Sequence, residues 1–225
     1  MSIASPEIEV EIAPLGLKGF LGIPKGAHGL VLFAHGSGSG RFSPRNRQVA
    51  AALRRAGFVT LLFDLLAPAE ENDRANVFDI RLLATRMVAA VKWARARPEL
   101  ARLPTGLFGA STGAGAALAA AAALGPVIRA IVSRGGRPDL AGPALARVAA
   151  PTLLIVGGRD STVLELNEQA AGRLGGPSRV VTVPGATHLF EEPGALDTVI
   201  RLATDWFGAH LRERAGADIG HVDVA

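Results

Sequence analysis

The sequence predicts a doubly wound α/β domain: a mostly parallel sheet of about seven or eight strands, helices on both faces, and no large cap. Three observations lead there. Apolar runs recur without polar alternation, as in strands buried on both faces. Amphipathic stretches of helical period separate them. No Pro/Gly-rich linker or internal repeat divides the 225 residues, so one domain is expected over 1–225.

Two β-type stretches open the chain, near 8–12 and 17–23. The unalternating runs follow at 30–34, 58–63, 105–108, 128–132, 152–156 and 179–183. Ser43-Pro44 reads as a helix start, a capping hydroxyl followed by a proline at the first helical position. That helix should run to about Arg55 and stop at Gly57. Further helices are expected at 77–95, 112–124, 163–174 and 195–214, with a loose tail over 215–225.

Composition narrows the function classes. Hydrophobic residues make up 49% and charged residues 20%, which excludes a disordered chain or a coiled coil. The net charge of +4 comes from scattered arginines, with lysine only at Lys18, Lys25 and Lys92. Tyrosine is absent and no basic cluster forms, so nucleic acid is not the expected partner. No apolar run approaches the roughly 20 residues of a membrane span. The start, MSIASPEIEVEIAP, lacks the basic-then-apolar pattern of a leader, so a cytoplasmic setting without membrane association is expected. Without cysteine there is no disulfide, thiolate metal site or cysteine nucleophile.

The chemistry-bearing stretch is LFGASTGAG at 107–115, which matches G-x-S-x-G between an apolar run and an alanine-rich helix. That motif makes a sharp strand-to-helix turn that lifts a serine hydroxyl out of the sheet. A glycine-rich turn with an idle serine is the bland alternative. Ser111 is a poor nucleophile unless a base reaches its hydroxyl and a third group orients that base. Of the five histidines only His188, His210 and His221 follow it, and His188 alone lies in a loop after the last strand. For the acid, Asp160 follows the strand PTLLIVGG, and Asp139 after the preceding strand is its rival. Glu191 and Glu192 lie too near His188 in sequence.

An oxyanion built on an ester carbonyl needs preorganised N–H donors. Thr112 supplies one and the loop HGSGSG the other, with Ser37 as its expected donor. That loop ends in neither G-K-[ST] nor G-x-G-x-x-G, so a nucleotide site is not supported. His35, Gly36, Arg41 and Arg134 are the expected substrate contacts. Arg41, Arg134 and Arg159 adjoin the site loops and could pair with an acidic substrate, or could hold loop carbonyls and acidic side chains. The stretch 64–76 could wall one side of the site.

In order and spacing, HGSGSGRFSPRNRQVA, GASTGAG, SRGGRPDLAG, VGGRDSTV and PGATHLFEEPG resemble the α/β-hydrolase fold, and within it the dienelactone-hydrolase-like group. The resemblance runs from about residue 7 to 214. It implies Ser111 as nucleophile, Asp160 as acid and His188 as base; acyl transfer through these three needs no metal and no organic cofactor. Dienelactone hydrolases themselves use a cysteine; this chain has none, which favours a serine esterase acting on a small-molecule ester. In some relatives of the group such a domain is fused to a phosphoribosyltransferase. The sequence leaves a homodimer open.

Overall fold

The computed structural model describes residues 7–211. Its frame is an eight-stranded sheet in the order β1-β2-β4-β3-β5-β6-β7-β8. The strands are β1 Glu7–Ile12, β2 Leu17–Gly22, β3 Gly29–Ala34, β4 Phe58–Phe63, β5 Thr105–Ala110, β6 Ile128–Arg134, β7 Thr152–Gly157 and β8 Ser178–Val183. β2 pairs antiparallel with β1 and with β4, while the pairings from β4 through β8 are parallel.

Both faces are covered, which is why the central runs do not alternate. Leu30, Leu32 and Leu107 face one apolar layer, which includes Met87, Val91 and Leu118. Their neighbours Val31, Phe33 and Phe108 face the opposite layer, with Val49, Leu53, Val199 and Phe207. Alternate residues of one strand therefore meet different helices, and in β3 every position is apolar.

The helices are α1 Pro44–Arg55, α2 Pro68–Glu71, α3 Arg74–Phe78, α4 Ile80–Arg95, α5 Thr112–Leu124, α6 Ser161–Ala171 and α7 Ala195–His210. Ser43 caps α1 as expected, its hydroxyl accepting from the Asn46 N–H. The single helix expected over 77–95 is two. Asp79 leaves helical geometry and its carboxylate accepts from the Leu82 N–H at 3.0 Å, starting α4 afresh. α6 begins and ends before the expected 163–174, and a 3₁₀ stretch over Pro138–Arg147 was not foreseen. α7 stops at His210, and the tail expected to be loose lies outside the described residues.

Only α2 and α3 stand between β4 and α4, so the fold carries no large cap. Among the described residues no helix is long and apolar enough to cross a membrane.

Candidate active site

β5 lies between β3 and β6, and its C-terminal end runs straight into α5. Ser111 stands between them with φ 51° and ψ −125°. That conformation costs a non-glycine residue about 1–3 kcal/mol and persists only where the surroundings impose it. They do so here through the backbone: Ser111 N–H donates to Arg134 O, and Ser111 O accepts from the N–H groups of Ala114 and Arg137. The flanking glycines are steric necessities. A Cβ at 113 would sit 2.3 Å from Ala34 O, and one at 109 would sit 2.4 Å from Ala114 Cα.

His188 occupies the loop between β8 and α7. Two devices hold it. Thr187 N–H donates to Glu192 Oε1 at 3.0 Å, and Phe190, at φ 56°, buries its ring in the core. The imidazole bridges two partners: Nδ1 lies 2.7 Å from Asp160 Oδ2, and Nε2 lies 3.3 Å from Ser111 Oγ. A carboxylate only accepts, so Nδ1 carries the proton and Nε2 accepts from the serine. Asp160 occupies the N-cap of α6 but makes no capping bond, which leaves its carboxylate for His188. Asp139, the rival acid, has both oxygens engaged by Arg137 at 2.9 and 2.8 Å.

On the other side of the serine stands the loop after β3. Thr112 opens α5, where an N–H has no intrahelical acceptor. Ser37 departs from expectation. Its N–H donates to Thr112 Oγ1 at 2.9 Å, so that donor is occupied until the threonine hydroxyl turns away.

The expected substrate contacts separate into two groups. His35 is a positioning residue, because its Nε2 accepts from Leu65 N–H and its Nδ1 meets Gly36 O, both at 3.0 Å. The neutral ring pins the glycine loop from below and has no nitrogen left for a ligand. Arg41 is equally committed. It pairs with Asp64, reaches Glu9 at 3.4 Å and lies 4.4 Å from the Phe42 ring centroid. Arg159 is exposed and lines neither cavity beside the site. Gly36 and Arg134 do line the cavity that holds Ser111 and His188.

That cavity measures about 240 Å³, and sequence reasoning missed part of its wall: Ser39, Ser43, Arg45 and Asn46. The Ser43-Pro44 helix start was the available signal, since it sets the first turn of α1 at the rim. A second cavity of about 460 Å³ lies past the glycine loop, with Phe42, Leu65, Leu66, Val77 and Leu83 as its apolar wall. Residues of the 64–76 stretch do form one side of it. Among the described residues no cluster of side chains could hold a metal ion.

The family model described as the dienelactone hydrolase family matches residues 17–210. The chain belongs to the dienelactone hydrolase family. A dienelactone hydrolase from Anabaena variabilis is 53% identical, with a TM-score of 0.89 over 93% of this chain and 100% of that one. Est1E from Butyrivibrio proteoclasticus shares the fold at 17% identity, with a TM-score of 0.74 over 91% and 98% of the two chains. Two Mycobacterium tuberculosis sequences, each provisionally named a phosphoribosyl transferase, are 59% identical over 91% of this chain. The chain spans 46% of the length of each. This member of the dienelactone hydrolase family places a serine oxygen, not a sulfur, against the histidine.

Buried His35 makes stability depend on pH. Burial pushes the His35 pKa below its ordinary 6.5. The folded state thus resists a proton that the unfolded chain accepts. His35 contributes stability that is present above pH 6.5 and lost as pH falls below it. Thermal unfolding between pH 8 and 5 should show a falling midpoint on the acid side. The slope from this group is at most about 1.4 kcal/mol per pH unit. His35→Gln should flatten it, and an unchanged slope in that variant would assign the effect elsewhere.

Proposed function

We propose that this dienelactone hydrolase family member is a serine hydrolase of small carboxylic esters. The observation that carries the reading is the unbroken chain from Ser111 Oγ through the His188 ring to Asp160. His188 Nε2 takes the hydroxyl proton as Ser111 Oγ attacks the ester carbonyl. Asp160 holds the ring and stabilises the imidazolium that forms. The carbonyl oxygen becomes an oxyanion, met by Thr112 N–H and, once the Thr112 hydroxyl turns away, by Ser37 N–H. Each such donor contributes roughly 3–4 kcal/mol to the barrier reduction. The C–O bond then breaks, and the alcohol leaves with the proton from His188. Water attacks the acyl-serine with His188 again as base, releasing the acid and restoring Ser111.

No step calls for a metal or an organic cofactor. The absence of a large cap and the modest cavities support small substrates. Because the tuberculosis relatives are about twice as long, the activity named for them is not carried to this chain. The test is twofold: a fluorophosphonate probe should label the protein at one serine, and p-nitrophenyl acetate should turn over. Turnover of thioesters in preference to oxygen esters would move the substrate class while keeping the same three residues. Absence of labelling in folded protein would refute the reading.

A further inference from the structure

The 240 Å³ cavity beside Ser111 has a charge pattern that ester hydrolysis does not require. Two arginines line it, Arg45 and Arg134, and no carboxylate does. Arg134, at the end of β6, is only 7% exposed. Its Nη2 donates to Asn46 Oδ1 at 3.3 Å, its Nε is buried without a partner, and its guanidinium lies 5.9 Å from the Phe190 ring centroid. No acidic side chain pairs with it among the described residues. Burial, and then the neighbouring Arg45, push its pKa down to about 10, so it is still charged at neutral pH.

A guanidinium out of water with no counter-ion is costly, and a second cation beside it adds to the cost. Arg45 has one pair, to Glu191 at 2.7 Å, but that carboxylate side chain is 63% exposed and screens little. The same wall carries the N-terminus of α1, a twelve-residue helix whose dipole also favours negative charge. The hydroxyls of Ser39 and Ser43 complete it. The donors thus arrive from three elements: the β3–α1 loop, the first turn of α1 and the end of β6.

We infer that this cavity binds a phosphoryl group carried by the substrate, held by Arg134 and Arg45, so that the ester cleaved at Ser111 is one of a phosphorylated small molecule. A planar carboxylate offers two oxygens in one plane. A phosphoryl group offers three oxygens and close to two charges, which suits two cations and hydroxyls approaching from separate sides. Because Ser111 and His188 line the same cavity, the phosphoryl group must lie within a few bonds of the scissile carbonyl. This inference rests on the proposed hydrolase reading for its chemistry, while the anion site can be tested without it.

The experiment is calorimetric titration of the full chain bearing Ser111→Ala, which cannot turn substrate over, with phenyl phosphate and with benzoate. Phenyl phosphate should bind at least about tenfold more tightly than benzoate. Arg134→Gln should weaken it by about tenfold or more, and Arg45→Gln several-fold. Should the buried Arg134 variant fail to fold by circular dichroism, Arg45→Gln, at a half-exposed position, decides alone. Benzoate binding as tightly as phenyl phosphate overturns the phosphoryl assignment. So does unchanged affinity in the folded arginine variants. No binding of either probe, while the fluorophosphonate still labels Ser111, removes the anion site and leaves the hydrolase. Failed labelling with intact phosphate binding removes the hydrolase and leaves the site.

Discussion

Ser111→Ala is expected to lower p-nitrophenyl acetate hydrolysis by roughly 10⁴- to 10⁶-fold, the loss that follows when an activated serine is removed from such a unit. One oxygen disappears and nothing else moves. Alanine takes the same backbone conformation as serine with the same strain, and the bonds to Arg134 O and from Arg137 N–H are made by the main chain. The circular dichroism spectrum and unfolding midpoint should therefore match the parent. Residual turnover would come from the oxyanion donors and from binding. Activity within a few-fold of the parent would mean that water, or another side chain, performs the attack.

Asp160→Asn should lower kcat by about 10⁴-fold, and Asp139→Asn should leave it within a few-fold. An asparagine at 160 can present its amide N–H to Nδ1, which then accepts and drives the ring proton to Nε2. Nε2 could no longer receive the serine proton. The geometry survives and the tautomer does not. At 139 the substitution loosens a bidentate pair with Arg137, whose backbone N–H, not its side chain, supports Ser111. Steady-state kinetics on the two variants separates the alternatives. The reverse pattern would move the acid to 139.

The frame was readable because burying β3 to β7 on both faces leaves an unalternating pattern. The three-residue chain was readable for a related reason: each member ends or follows a strand, so topology alone brings them to one rim. What escaped depends on side-chain partners distant in sequence. Arg41 and Arg134 look alike as letters beside site loops. The first meets Asp64 and Glu9 across 23 and 32 residues, and the second meets no acid. The occupation of the Ser37 N–H is invisible in the sequence because it turns on where the Thr112 hydroxyl points. The break at Asp79 was hidden because the apolar stripe continues through it.

The segment joining β4 to α4 is built unlike the rest. Leu65 and Leu66 anchor one end in the core and Leu83 the other, while α2 and α3 contribute no buried residue. Leu65, Leu66 and Leu83, which line the larger cavity, sit in the same core as Leu107 and Leu118 on the strand and helix that flank the nucleophile, whereas Glu71 stands outside it. Grafting a different loop over residues 67–76 would therefore change that wall at Glu71 alone and remove no buried residue.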